Sequence, residues 1–269
     1  MRMAVIGHVE WGLFAYSREP LERGAIVHLY DAVEEPGGAG GVMARALPML
    51  GAQTVFFTAL GSDPTAERTL EVLESEGCEV RASRFIGIQN RVTTVVDPSR
   101  DRTILVHGPN TFPTTDDPLG WEDLAGFDAC FHTGDDPRTL VAGRAARVLG
   151  ATARRLRFVV ESRVELDVLC GSASDPSESF ELDDLPVRPL LCTWSEGAQG
   201  GHFVDADGAT GRWEAVAPSA PVIDTYGAGD YFLVALTLAL ARGERRDDAL
   251  AYAARCAADQ LTRRGAAPR

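Results

Sequence analysis

Short apolar segments alternate with longer helix-like ones along most of this 269-residue chain, and this alternation constrains the fold more than any other feature. Strands separated by helices pair in parallel, and a parallel sheet needs helices on both faces. We therefore predict an α/β protein with a mostly parallel central sheet. The predicted strands are Met3–Ile6, Thr54–Leu60, Phe127–His132, Arg157–Val160, Asp167–Cys170 and Leu190–Thr193. The predicted helices are Val42–Leu50, Pro64–Ser75 (capped by Asp63), Arg138–Arg155, Ala228–Arg242 and Asp247–Arg263.

Two segments, Ala25–Ala32 and Val80–His107, break this pattern. Polar and apolar residues alternate with period two within Arg91–Val96 and Arg102–Val106, and a Pro-Ser-Arg-Asp turn separates these two stretches. We expect such strands to form a small antiparallel sheet that acts as a lid on the α/β core. We predict one domain over residues 1–269, with lid strands from about 25–32 and 80–107 inserted in it.

Composition excludes several classes of protein. The formal net charge is −13 and the isoelectric point is near 4.8, which argues against nucleic acid as a partner because phosphate tracking needs clustered cations. No apolar run reaches the roughly 18 residues of a membrane span. The N-terminus reads as a strand and not as a signal peptide, so we expect a cytoplasmic protein. The five cysteines show no metal-ligand spacing and are expected to be buried thiols.

The chain contains no lysine, since all 26 of its basic residues are arginine. This excludes a Walker A loop, the strand lysine of protein kinases and Schiff-base chemistry with pyridoxal phosphate. Any phosphate chemistry in this protein must therefore use backbone amides, arginine or a metal ion.

The strongest chemical signal is the glycine-rich run Val222–Asp230, which leads directly into the apolar helical segment Tyr231–Leu236. Gly227 and Gly229 have no Cβ, so a ligand can approach the backbone closely. The start of a helix presents unpaired N–H groups and a positive partial charge, which together form an anion site. Asp230, in the first turn, is placed to accept a proton from a hydroxyl that attacks phosphorus. The alternative is a glycine-rich turn in which Asp230 only caps the helix.

This run, read as Asp-Thr-x-Gly-Ala-Gly-Asp, resembles the C-terminal motif of the ribokinase-like (PfkB) carbohydrate kinases. A second motif of that family, a Gly-Gly pair followed by a helix and Leu-Gly-Ala, resembles Gly37–Ala52. Both motifs occur in the family's order, and the resemblance extends from Val5 to about Gly265. It implies a ribokinase-like three-layer sandwich with a small β lid, ATP and Mg²⁺ as cofactors, a small-molecule hydroxyl acceptor and possible homodimerisation through the lid.

The resemblance also assigns roles to individual residues. Asp230 is the implied base, and Gly227, Ala228 and Gly229 bind the transferring phosphoryl group. Glu10, Gly38 and Asp135 contact the acceptor. The implied ATP-binding residues are Thr193, Gly197, Gly200, Thr225 and Gly265; the alternatives are a plain β-turn at Thr193–Gly201 and a frayed charged tail at Thr262–Ala266.

The expected metal site is less regular than in the family. The family's Asn-x-x-Glu, which organises magnesium through water, is replaced by a segment in which Asp175 or Glu178 would serve a hydrated Mg²⁺. The alternative is a capped helix start at Asp175. Glu161–Arg163 stands where the family often has Asp-x-Asn-x-Arg. His8 and His132 are expected to be structural histidines, although either would reach the pocket from a strand end.

The acceptor positions depart from those of ribokinase itself. An early Asn-x-Asp is replaced by Glu10 and Gly12, and an Asn within the Gly-Gly motif is replaced by Val42. We predict that ribose is a poor acceptor, and that Trp11 stacks on an acceptor with an apolar or aromatic face while Glu10 binds its hydroxyls. The alternative is that Trp11 packs under the lid and Glu10 points to solvent.

The sequence therefore predicts an ATP-dependent phosphotransferase acting on a hydroxyl of a small sugar, nucleoside or polyol. The alternative function is a catalytically altered nucleotide-binding regulatory protein of kinase descent, which the changed acceptor positions favour and the intact run at Asp230 opposes. A Rossmann dehydrogenase is excluded, since no Gly-x-Gly-x-x-Gly lies at a first βα turn.

Overall fold

The structure, a computed structural model, describes residues 1–266 and contains two sheets. Nine strands form the main sheet in the order β13-β12-β11-β10-β9-β8-β1-β4-β5, and four form the small sheet in the order β3-β2-β6-β7. The strands are β1 (Arg2–Ile6), β2 (Glu10–Ser17), β3 (Leu29–Gly37), β4 (Gln53–Leu60), β5 (Cys78–Arg84), β6 (Arg91–Val96), β7 (Arg102–Val106), β8 (Ala129–His132), β9 (Val148–Thr152), β10 (Val168–Ser172), β11 (Leu191–Ser195), β12 (Gly201–Asp205) and β13 (Thr210–Trp213). The helices are α1 (Gly38–Met49), α2 (Pro64–Ser75), α3 (Pro137–Gly143), α4 (Leu156–Ser162), α5 (Ala228–Ala241) and α6 (Arg246–Gln260).

Helices cover both faces of the main sheet. Successive residues of a strand point to opposite faces, and β1 shows this directly. Met3 and Val5 pack in the cluster that contains α1 and α5, whereas Ala4 and Ile6 pack in the cluster that contains α3 and α4. The predicted three-layer α/β sandwich is therefore confirmed. Within residues 1–266, no helix is both long and apolar enough to cross a bilayer.

The small sheet, which we call the lid, differs from the prediction in its strands. Its β2 was not predicted because nearly every side chain of Glu10–Ser17 is buried, which removes the period-two signal of a one-sided strand. β2 pairs with β3 in antiparallel and with β6 in parallel orientation. Residues 80–84 were predicted to belong to the lid, but they lie in β5 (Cys78–Arg84), which pairs with β4 at the edge of the main sheet.

The predicted helix Arg138–Arg155 and the predicted strand Arg157–Val160 are wrong. α3 ends at Gly143, the fully buried strand β9 follows at Val148–Thr152, and residues 157–160 lie within α4. Alanine and arginine favour helix locally. The position of β9 between β8 and β10 overrides that preference, because each of its residues is buried in the sheet.

The parallel strands bring distant segments to one edge of the main sheet. β1, β8, β9 and β10 run in parallel, so the residues that follow them meet at the carboxyl edge. Ligands of open α/β sheets bind in a crevice at this edge. The segments carrying His8, Asp135, Arg154 and Asp175 are thereby brought into one region.

Candidate active site

The glycine-rich run forms a tight turn that leads into α5. Gly227 adopts φ +76°, a left-handed conformation that favours glycine, and α5 begins at Ala228. The buried Asp224 carboxylate holds the turn by accepting hydrogen bonds from the N–H groups of Tyr226 (2.7 Å) and Gly265 (3.0 Å). A Cβ at Gly229 would meet no atom within 4 Å. The start of α5 is therefore open to a ligand on the Gly229 side.

Asp230 lies in the first turn of α5 and is half-buried. Burial of the carboxyl group among protein atoms raises its pKa to about 7, and the negative charges of Glu178 and Glu10 add to this increase. The positive charges of Arg102 and Arg154 oppose it. A carboxylate with a pKa near neutrality suits a general base.

An arginine of the lid contacts the glycine-rich turn. Arg102, on β7, donates a hydrogen bond from Nη1 to Thr225 Oγ1 at 3.1 Å. The Thr225 hydroxyl in turn donates to the carbonyl oxygen of Arg100 at 3.3 Å. The lid thus contacts the glycine-rich turn, and the guanidinium of Arg102 lies close enough to act on the Asp230 carboxylate.

Two predicted acceptor residues, Glu10 and Gly38, are brought together. Gly38 has φ +75°, and a Cβ there would lie 3.2 Å from Glu10 Oε2 and 3.0 Å from His8 Nε2. Asn110 donates a hydrogen bond to Glu10 Oε1 at 2.5 Å, and His8 Nε2 lies 3.6 Å from the same oxygen. Burial alone would raise the pKa of Glu10, but His8 and Asn110 outweigh it, so the carboxyl group has a pKa below its ordinary value.

Asp135, the third predicted acceptor residue, lies near Glu10 and His8. It also lies near Arg155, which the sequence analysis did not identify as a site residue. Burial raises the pKa of Asp135, while the charges of Arg155 and His8 oppose this. The Arg155 guanidinium lies 4.5 Å from the centre of the Phe112 ring, and the His8 ring lies 4.7 Å from the same centre. Arg155 Nε is buried and has no hydrogen-bond partner among residues 1–266.

The predicted stacking role of Trp11 is wrong for this structure. Successive residues of β2 face opposite sides, so Trp11 points away from Glu10. Its ring is buried, donates a hydrogen bond to Glu34 at 3.2 Å and lies 4.7 Å below the Arg68 guanidinium. Phe112 is instead the aromatic side chain whose ring lies beside that of His8. Nothing local in the sequence distinguished Phe112, because its position depends on the return of the chain from the lid.

Both predicted metal carboxylates are engaged by Arg154. Its Nη2 lies 2.7 Å from Asp175 Oδ2 and its Nε lies 2.8 Å from Glu178 Oε1. Carboxylate oxygens suit magnesium, but neither group is free of a cationic partner as it stands. No group of three His, Cys, Asp or Glu side chains in the described part of the chain is arranged to hold a metal ion. Magnesium at Asp175 or Glu178 stays a prediction.

The remaining predicted residues lie at two turns. Thr193 is buried in β11, and Gly197 and Gly200 lie in the turn between β11 and β12. Packing alone also requires a glycine at position 200, because a Cβ there would lie 2.0 Å from the carbonyl oxygen of Trp213. Gly265 packs against Glu35 and donates its N–H to Asp224, beside the glycine-rich turn. Their contribution to ATP binding stays a prediction.

His132 and Glu161–Arg163, the remaining residues singled out in the sequence, have structural positions. His132 is fully buried, its Nε2 lies 2.9 Å from Thr139 Oγ1, and burial lowers the pKa of its imidazole to about 3. Glu161–Arg163 was expected at a strand end and instead ends α4. The strand that ends nearby is β9, and the arginines following it are Arg154 and Arg155. This pair was missed because β9 was predicted as helix.

Most of the chain matches a known protein family. Residues 2–173 and 190–268 match the model of the pfkB family of carbohydrate kinases. The chain belongs to this family. The aminoimidazole riboside kinase of Salmonella typhimurium is 25% identical over 86% of this chain and 83% of its own length.

Two solved structures show the same fold at low sequence identity. The ribokinase of Giardia lamblia has a TM-score of 0.81 at 18% identity and covers 100% of this chain and 96% of its own. A microbiome-derived acarbose kinase has a TM-score of 0.81 at 18% identity and covers 100% of this chain and 95% of its own. At such identities the likeness shows the architecture alone.

Proposed function

We propose that this pfkB-family kinase transfers the γ-phosphoryl group of ATP to a hydroxyl of a small sugar, nucleoside or polyol. The observation that carries the proposal is the position of Asp230. It lies in the first turn of a helix whose N-terminus is open to an anion, within electrostatic reach of the polar cluster around Glu10. A base, an anion site and a polar pocket are the three parts that phosphoryl transfer to an alcohol requires.

The residues divide the reaction between them. Asp230 accepts the proton of the acceptor hydroxyl while the oxygen of that hydroxyl bonds to the γ-phosphorus. At the same time the bond from the γ-phosphorus to the β,γ-bridging oxygen breaks, and ADP leaves. The N–H groups at Gly227, Ala228 and Gly229 and the cation of Arg102 stabilise negative charge on the transferring group. ATP would bring Mg²⁺ on its phosphates, which neutralises part of their charge.

The polar side chains around Glu10 support a hydroxyl-rich acceptor with one apolar face. Glu10 and Asp135 accept hydrogen bonds from hydroxyls, and Arg155 and Asn110 donate them. The Phe112 ring offers a flat apolar surface, although His8 and Arg155 already contact it. We therefore keep the prediction that ribose is a poor acceptor and that a nucleoside or cyclitol is a better one, with Phe112 in place of Trp11.

The test is an assay of ADP formation from MgATP with ribose, fructose, inositol and several nucleosides. Asp230→Asn keeps the shape of the side chain and should lower kcat by at least about 100-fold while leaving ATP affinity nearly unchanged. Near-normal turnover in this variant would remove Asp230 as the base. Glu10→Gln should change the order of preference among acceptors, and ribose having the highest kcat/KM would contradict the acceptor proposal.

A further inference from the structure

At the carboxyl edge of the main sheet, Arg154 makes more hydrogen bonds than the arginine of an ordinary surface ion pair. We call Arg154, Asp175, Ser177 and Glu178 the Arg154 cluster. Arg154 follows β9, and its three side-chain nitrogens donate to Glu178 Oε1 (2.8 Å), Ser177 Oγ (2.9 Å) and Asp175 Oδ2 (2.7 Å). A planar guanidinium suits such a multidentate grip, whereas a lysine would bind as a point charge.

The acidic side of the cluster is a short turn after β10 that presents both carboxylates to Arg154. Asp175 Oδ1 accepts hydrogen bonds from the N–H and the hydroxyl of Ser177 at 2.9 and 2.7 Å. The N–H of Glu178 donates to the carbonyl oxygen of Asp175 at 2.9 Å. The turn therefore fixes the spacing of the two carboxylates, and Arg154 fills the space between them.

We propose that Arg154 competes with a divalent cation for the Asp175–Glu178 carboxylate pair and must release at least one carboxylate before the cation can bind there. The proposal rests on the proposed phosphotransferase function, which places a metal–nucleotide complex at this edge. A guanidinium and a dication repel each other, and they need the same carboxylate oxygens. The phosphates of a bound nucleotide offer the released guanidinium bidentate acceptors of equal strength. Metal binding without nucleotide is then opposed, and binding with nucleotide is favoured.

The first test measures Mn²⁺ binding to the whole protein by electron paramagnetic resonance, without nucleotide or acceptor. Arg154→Gln should bind Mn²⁺ at least about tenfold more tightly than wild type, a gain of about 1.4 kcal/mol. The matched control is Arg246→Gln, which makes the same change in net charge by removing a comparable pair, Arg246 with Asp205 at 2.7 Å. This control should bind as wild type does. Adding Glu178→Gln to Arg154→Gln should abolish the gain.

Equal Mn²⁺ affinity in wild type and Arg154→Gln would overturn the proposal. So would an equal gain in Arg246→Gln, because net charge alone would then explain the effect. If Arg154→Gln does not fold, Arg154→Lys keeps the charge, loses the multidentate grip and should show a smaller gain of the same sign. None of these measurements needs turnover, so they judge Arg154 even if the protein phosphorylates no tested alcohol.

Discussion

In the proposed reaction, Asp230 must be free of a proton before transfer and must accept one during it. Burial raises the pKa of this carboxyl group to about 7. Protonated Asp230 cannot act as a base, so kcat/KM should fall as the pH decreases through about 7. The measurement is a profile between about pH 5.5 and 9. Full activity at the acidic end of this range would show that Asp230 is not the base, or that its pKa is not raised.

The same raised pKa gives a prediction for stability. The folded protein holds the Asp230 proton more tightly than the unfolded chain does, so folding gains stability that is fully present below the unfolded pKa and lost as the pH rises through about 7. Asn resembles the protonated form and has no charge to bury. Asp230→Asn should therefore have a higher Tm than wild type at about pH 8, with the difference shrinking at acidic pH. A lower Tm at both pH values would contradict this.

Arg102 is a lid residue that donates a hydrogen bond to the glycine-rich turn. It extends from β7 of the lid to Thr225 Oγ1, 3.1 Å away, and its charge lowers the pKa of Asp230. Arg102→Gln should lower kcat by about 100-fold, in the range for loss of one charge-stabilising donor. The Tm should change little, because this contact is exposed to solvent. Arg246→Gln is a control remote from the turn, and unchanged kcat in Arg102→Gln would remove Arg102 from catalysis.

At the scale of elements, the start of α5 offers a matched pair of glycines. A Cβ at Gly229 meets open space, whereas Gly227 has φ +76° and a Cβ there would lie 3.2 Å from Val42. Gly229→Ala should keep the wild-type Tm and weaken ATP binding by at least about tenfold, because its methyl group would occupy the space proposed for the phosphate. Gly227→Ala should lower the Tm as well. Wild-type ATP affinity in Gly229→Ala, measured by calorimetry, would show that this turn is not the anion site.

How far an element could be predicted depended on whether its signals are local. α2 was predicted with its correct bounds because Asp63 and Pro64 mark its start, and the Asp63 side chain does accept a hydrogen bond from the N–H of Ala66 at 3.1 Å. Asp230 was identified because its motif is contiguous in sequence. β9 gave no such signal, since its residues are specified by burial between two neighbouring strands.

The residues of the candidate site also divide into those that the sequence indicated and those that it did not. Glu10, Gly38 and Asp135 were proposed from the resemblance, and the structure brings them to one region. Arg102, Asn110, Phe112, Arg154 and Arg155 were not found, because each reaches the site from a lid strand, a loop or the end of a missed strand. Their proximity exists only after the two sheets have formed, so no spacing along the chain encodes it.

At the scale of the whole molecule, the lid leaves an apolar edge uncovered. Ile104, Leu105 and Val106 of the edge strand β7 are exposed, as are Leu29 and Tyr30 on β3 at the opposite edge. An open edge strand with exposed apolar side chains tends to pair with another chain. The predicted homodimerisation through the lid would cover these side chains and would also restrain the β7 hairpin that carries Arg102.

Light scattering coupled to gel filtration tests this inference. Wild type should show twice the chain mass of 28.9 kDa. Leu105→Glu, at a side chain that is 51% exposed, should give the monomer mass, because a buried unpaired carboxylate is costly in an apolar interface. Val141→Glu is the control, since Val141 is equally exposed but lies on α3, away from the lid. A monomeric wild type at all concentrations, or dissociation by Val141→Glu as well, would exclude the lid as the dimer interface.

The monomeric Leu105→Glu variant should also lose part of its kcat, because the hairpin holding Arg102 over Thr225 is then supported from one side only.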